Sequence, residues 1–350
     1  MEAAASESGV TGFSPRFLLS EWENVIDAWH IDSAEAYADV PRMGRKNRLG
    51  AKQRETLWQV FSRVRETLVQ RALFTPAALF QLITATYAAR DDKPFSHIVV
   101  DEAQDLGVSE LRFLAAIAPD KPDALFFAGD IGQRIFQQPF SWLGLGIDVR
   151  GRSVTLKVNY RTSQQIRQRA DRLLPRTVRD VDGLEEDRRG TVSVFEGIEP
   201  EIVIAEDEAA ERDAAAAFVR RALDDHIAPR EIAIFVRSSE QLPRARSIAE
   251  AANLPFRMAS ISRPDEDKAL VGIMHLAKGL EFRAVAVVAC DENVLPLAAR
   301  VADVADAFEL DEVIATERQL LYVAATRARD RLLVSGISPS SEFVEELIRA

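Results

Sequence analysis

Two hydrophobic rhythms divide the chain. Phe17, Leu18, Trp22, Val25, Ile26 and Trp29 recur at helical spacing, and Ser14-Pro15 supplies an N-cap and a first-turn proline ahead of them. That stripe predicts a helical core. A second helix is predicted over residues 52–72, with Leu57, Val60, Phe61, Val64 and Leu68 on one face, and Thr75-Pro76 opens a third. Residues 1–12 are small and polar and predict a disordered tail. From Phe95 the rhythm changes to short β-branched runs alternating with helical stretches, the pattern of a parallel α/β architecture. Strands are predicted at 96–100, 124–128, 153–157, 191–195, 232–236, 271–274, 284–289 and 331–335, and helices at 207–225, 240–252 and 312–329. The division that follows is a tail (1–12), a helical subdomain (13–92), the end of one α/β domain (93–150), a second α/β domain (151–338) and a C-terminal helix (339–350).

The chemistry concentrates where these strands end. Phe95 to Asp105 reads FSHIVVDEAQD, an apolar strand running into two adjacent acids. The C-terminal end of a parallel strand is where an α/β sheet places its ligands. There Asp101 can hold magnesium while Glu102 takes a proton from a water. Taken alone, the stretch reads equally well as a strand ending in a solvated acidic turn. Its companions decide between the two. Gly129-Asp130-Ile131-Gly132-Gln133-Arg134, Asn159-Tyr160-Arg161-Thr162, His275-Leu276-Ala277-Lys278-Gly279-Leu280-Glu281-Phe282 and Tyr322-Val323-Ala324-Ala325-Thr326-Arg327-Ala328 follow in order. In order and content these motifs resemble the UvrD/Rep/PcrA-like superfamily 1 DNA helicases, from about Phe13 to the C-terminus.

The resemblance implies RecA-like P-loop motor domains with parallel sheets, ATP and Mg2+ as cofactors, and ATP-dependent 3′ to 5′ unwinding of single-stranded or partly duplex DNA. It makes Asp101 the magnesium ligand, Glu102 the base and Gln133 the residue sensing the γ-phosphate. Arg161 and Arg327 become the two arginines facing that phosphate, and Tyr160 the aromatic stacked on adenine. Glu281 accepts from the ribose, with Gly279 allowing close backbone approach, and His275 couples nucleotide state to DNA. Relatives continue after the glutamine with a tryptophan that stacks a DNA base. Here the sequence reads Phe136-Gln137-Gln138-Pro139-Phe140-Ser141-Trp142, so Trp142 or Phe140 either takes that place or packs under the loop.

Such helicases begin with a Walker A loop, G-x-x-x-x-G-K-[ST], whose lysine neutralises β and γ phosphate charge. No Gly-Lys dipeptide occurs in these 350 residues, and the acidic pair already stands at position 101. The expectation is a first motor domain without its front half, and a chain inactive alone. The alternatives are a non-catalytic DNA- or protein-binding remnant, or half of a split motor whose partner is a separate Walker A-containing chain; a repair protein is a further candidate partner. Relatives also insert a large helical subdomain before the His275 motif; residues 257–269 stand in its place, so the insertion is expected to be missing or vestigial.

Charge and cysteine usage narrow the setting. A net charge of −11 argues against uniform coating of nucleic acid, but residues 41–71 carry nine basic side chains against two acidic ones. The resemblance places this segment beside bound DNA, so Arg45, Lys46 and Arg48 are candidate phosphate contacts; the alternative is a solvated helix face. Two acid-rich stretches, 199–213 and 303–317, read as solvated surface. The single cysteine, Cys290, reads as a buried thiol in a reducing, cytoplasmic setting, and no apolar run is long enough to span a membrane.

Overall fold

The computed structural model describes residues 1–40, 49–130, 140–175, 177–179, 185–187, 191–259, 267–302, 304 and 307–348. Arg45, Lys46, Arg48 and Gln133 lie outside the described residues. The chain divides into two compact units, Met1–Ser153 with Arg179–Glu185, and Val154–Val178 with Glu186–Ala350.

In the first unit the helix starts follow their caps. Ser14 Oγ accepts the Phe17 N–H and opens α2 (Pro15–Glu21), which continues into a π-helical turn (Trp22–Asp27). Ser33 opens α3 (Ala34–Asp39) in the same way, and Thr75 opens α5 (Pro76–Ala88) while its hydroxyl donates to Asp27 Oδ1. Leu18, Trp22, Val25, Ile26 and Tyr37 pack against Leu57 and Phe61 of α4 (Ala51–Gln70). The predicted stripe is therefore core. Residues 1–12 depart from the expected disordered tail: they include helix α1 (Glu2–Glu7), with Ala4 buried and Glu7 paired to Arg63 at 3.1 Å. Three of the basic residues have structural work. Arg63 holds α1, Arg54 donates to the carbonyls of Tyr37 and Ala38 at the end of α3, and Arg65 donates to Ile31 O.

The same unit carries two parallel three-residue strands, β1 (Ile98–Val100) and β2 (Leu125–Phe127), joined through α6 (Val108–Ile117). Phe113 of α6 takes the rings of Phe80 and Tyr87 from α5, at centroid distances of 5.6 and 6.4 Å. Val99 pairs in register with Phe126, and both are open to solvent at 74% and 62% exposure.

The second unit begins with β3 (Val158–Asn159), parallel to β6 (Val192–Ser193). A further small sheet pairs β4 (Thr177–Arg179) with β5 (Glu185–Asp187). Residues 153–157, predicted as a strand, are exposed and form no ladder; Lys157 O accepts one bond, from Val192 N. The core is a six-stranded parallel sheet in the order β7 (Glu201–Ala205), β12 (Ala328–Ile337), β11 (Phe282–Val287), β8 (Ile232–Val236), β10 (Ala269–Ile273), β9 (Phe256–Met258). Every residue of β8 is buried, as expected of a central parallel strand covered on both faces. Helices α8 (Glu208–Asp224) and α9 (Leu242–Ala251) supply Phe218, Val219 and Ile248 to that core. The remaining helices are α7 (Gln164–Ala170), α10 (Ala298–Ala302), α11 (Ala307–Ala325) and α12 (Glu342–Ile348).

Both acid-rich stretches depart from the solvated reading. The first contains β7 and the buried Glu211, which accepts from Ala289 N and Ser335 Oγ and pairs with Arg244. The second contains Glu317, fully buried and held bidentately by Arg237 at 2.5 and 2.6 Å. Each carboxylate could be buried only because arginines and backbone donors satisfy it. No helix among the described residues is long and apolar enough to cross a membrane.

Candidate functional site

In the first unit the acidic pair stands at the carboxyl end of β1. Val100 O accepts from Ala128 N at 2.8 Å and Ala103 N donates to Ala128 O at 2.9 Å, so the parallel pairing continues past both strand ends. Between those bonds the backbone turns sharply, and Glu102 adopts φ +52°, the left-handed region that most side chains avoid. Asp101 Oδ1 accepts the Glu102 N–H at 2.8 Å, which steadies the turn, and Asp101 is exposed. Gln104, buried behind them, donates to Glu102 Oε2 and accepts the Asp130 N–H at 3.0 Å.

The second unit gathers residues distant in sequence. Asn159 Oδ1 accepts the backbone N–H groups of Arg161 at 2.8 Å and Thr162 at 3.3 Å, an Asx turn that leaves the Tyr160 ring 74% exposed. The Arg161 guanidinium lies 3.3 Å from the Glu281 carboxylate. Gly279, with φ +74°, supplies the left-handed position that brings the backbone round to Glu281. Phe282 N donates to Arg327 O, so β11 starts beside the Thr326-Arg327 turn. Thr162 Oγ1 reaches Thr326 O at 3.4 Å.

Arg327 departs from the expected projecting cation. It is fully buried, with Nε donating to Val323 O at 3.0 Å and Nη1 to Leu280 O at 3.3 Å. The guanidinium thus fastens α11 to the loop carrying Glu281 rather than facing solvent. Trp142, half-buried, packs edge-on against Phe127 of β2 at 4.8 Å. His275 is half-buried, and its pKa is lowered chiefly by burial and then by the nearby Arg237 guanidinium; Glu317 opposes this and Arg300 adds to it. Burial thus disfavours the charged form of the ring. Cys290 is buried, and burial pushes its thiol pKa up, as expected of an inert core cysteine.

Sequence reasoning missed Asn159, Gln104, Arg237, Glu211 and Glu317. Asn159 carried a signal, since Asn two residues ahead of an exposed cation is a turn former. The two glutamates carried none, because acid-rich surroundings disguise the one acid that turns inward.

Residues 259–339 match the UvrD-like helicase C-terminal domain, a span holding the His275 to Phe282 and Tyr322 to Ala328 motifs. The chain is 25% identical over 326 residues to the ATP-dependent DNA helicases UvrD2 of Mycobacterium bovis and Mycobacterium tuberculosis, covering 93% of this chain and 41% of theirs. A 97-residue stretch is 35% identical to the ATP-dependent DNA helicase UvrD1 of Mycobacterium leprae, covering 24% of this chain and 12% of that protein. The C-terminal domain of a possible DNA helicase from Lactobacillus plantarum aligns with a TM-score of 0.38 at 20% identity, over 54% of this chain and 94% of that one. The chain is related to the UvrD-like helicases and spans 41% of the length of the UvrD2 relatives it matches.

Proposed function

We propose that the chain carries the water-activating and charge-stabilising residues of an ATP-driven DNA translocase of the UvrD-like type, which separates strands in the 3′ to 5′ direction in the cytoplasm. In this reading residues 93–150 are the end of a first, incomplete RecA-like motor domain, residues 151–338 a second, and residues 13–92 a helical subdomain. The observation that carries it is the juxtaposition of Arg161 and Glu281 at 3.3 Å beside the exposed Tyr160 ring, three residues drawn from two motifs 120 positions apart.

The residues present fit ATP and magnesium in part. Asp101 is exposed and has an oxygen to give, and among the described residues no group of three His, Cys, Asp or Glu is placed to hold a metal ion. A single carboxylate suits magnesium, which keeps most of its shell for water and phosphate oxygens. Bound at Asp101, the ion would neutralise phosphate charge. Glu102 takes the proton of the attacking water, with Gln133 orienting it. Tyr160 stacks on the base, Glu281 accepts from the ribose, and Arg161 places a guanidinium against developing phosphoryl charge. Arg327 shares that last role only if it leaves the carbonyls of Val323 and Leu280. Its burial favours the rival reading, a non-catalytic remnant or half of a split motor.

The test is DNA-stimulated phosphate release by the 350-residue chain, alone and with a phosphate-loop segment from a UvrD-like relative added. Alone it should not exceed buffer, because nothing in the sequence replaces the loop lysine; with the segment, turnover should appear. Arg327→Ala should then lower turnover by about 10³ with nucleotide affinity within about tenfold. Tyr160→Ala should do the reverse, because stacking is equal in ground and transition states. Turnover by the chain alone, abolished by Glu102→Gln, would overturn the missing-loop reading. No turnover with the segment present would overturn the motor.

A further inference from the structure

The glutamine of the DEAQD run takes no part in the chemistry above, yet it is the most enclosed polar side chain around the acidic pair. Gln104 is 4% exposed. One end of its amide donates to the Glu102 carboxylate, and the other accepts the backbone N–H of Asp130 at 3.0 Å. Both ends are used, and the amide that joins the two half-exposed partners is itself buried. The site is also shaped around this side chain. A Cβ at Gly129 would overlap Gln104 Oε1 and press on the Ala103 and Gln104 amides at 3.2 Å, so the turn after β2 closes on the glutamine only as glycine.

Only an amide meets both demands. A glutamate at this position would lose the donor and set a second carboxylate against Glu102; a leucine would leave the Asp130 N–H with no acceptor. The Glu102 backbone, held at φ +52° by Asp101 and by the Ala103 to Ala128 bond, has little freedom of its own, so the carboxylate follows its side-chain partner. We propose that Gln104 is a positioning residue that couples the Glu102 carboxylate to the Gly129-Asp130 turn, so that movement of one is felt at the other. The turn leads directly into the segment bearing Gln133, the other residue read as touching the attacking water. The functional meaning rests on the reading of Glu102 as the base; the coupling itself does not.

The coupling is measurable in the intact chain by hydrogen–deuterium exchange at the Asp130 amide. Gln104→Leu removes the acceptor and should speed that exchange by about tenfold. Glu102→Ala leaves the acceptor in place but removes the charge polarising the amide, and should speed it by about threefold. In the Gln104→Leu background, Glu102→Ala should add nothing, because the connection is already cut. A merely structural glutamine predicts otherwise: Asp130 at its wild-type rate in Glu102→Ala, or effects that multiply in the double variant. Either result overturns the proposal. Because exchange needs no turnover, a wild-type chain that shows the coupling yet hydrolyses nothing with the added phosphate-loop segment refutes the motor reading alone.

Discussion

Two of the parallel sheets among the described residues solve the same packing problem to different extents. In the second unit, β8 lies at the centre of six strands with every residue buried, and helices such as α8 and α9 supply side chains to the core around it. In the first, β1 and β2 form a two-stranded ladder whose in-register Val99 and Phe126 face solvent. A parallel sheet is stable when both faces are covered, and two three-residue strands fall short of that. Yet the sparser sheet carries the acidic pair. The second unit's stability is built into its own sheet, whereas the Asp101-Glu102 turn is held by a few hydrogen bonds. Elsewhere in the first unit, Arg112 of α6 stacks over Trp29 at 5.1 Å and donates to its carbonyl.

Four tryptophans make the comparison accessible. Trp22, Trp29, Trp58 and Trp142 all fall in the first unit, so indole fluorescence reports that unit alone while far-UV circular dichroism reports both.

The largest expected effect is in the second unit. Glu317→Ala would leave Arg237 and Arg300 facing each other without their shared carboxylate and should cost about 3–5 kcal/mol. Denaturant unfolding followed by circular dichroism should show the loss while the tryptophan transition stays in place; equal displacement of both would mean that the units unfold together. Next, a matched pair of truncations probes the sheets directly. Ile234→Ala in β8 should cost about 2–5 kcal/mol, and Val99→Ala in β1 no more than about 0.5 kcal/mol. Similar costs at the two positions would mean that the face of β1 is covered in solution.

The last effect concerns acid. His30 has its pKa lowered to about 4, first by burial and then by the Arg112 and Arg65 guanidiniums. Between pH 6.5 and pH 4 the unfolded chain therefore binds a proton that the folded chain refuses, so stability is complete above pH 6.5 and declines as pH falls through that window. The half-buried site tempers this to about 1 kcal/mol between pH 7 and pH 5. His30→Asn, which tolerates the φ of +57° at this position, should flatten that part of the tryptophan-detected profile. An unchanged slope would assign the acid sensitivity to other groups.

Much of this organisation was legible in the sequence, for reasons that particular residues make plain. Ser14, Ser33 and Thr75 cap helices as local chemistry dictates, and the apolar runs of β8, β10 and β11 announce themselves because central strands need no polar face. Tyr160, Arg161, Gly279 and Glu281 were found from motif order, and the fold brings Arg161 and Glu281 together. Tertiary context decided the rest. Strand β7 hid among acids because Glu201 pairs with Arg221 from α8. Residues 153–157 have strand composition but no neighbouring strand to pair with. Arg327 reads as a cation available to a phosphate, yet two backbone carbonyls claim it, and nothing in the linear sequence distinguishes the two outcomes.

The asymmetry between the sheets is tested most directly by unfolding the intact chain in urea while recording tryptophan fluorescence and far-UV circular dichroism on the same samples. The account predicts that the tryptophan signal is lost at lower urea, followed by a second circular dichroism transition with no fluorescence counterpart, as the six-stranded sheet outlasts the first unit. Coincident transitions with a single midpoint would contradict it.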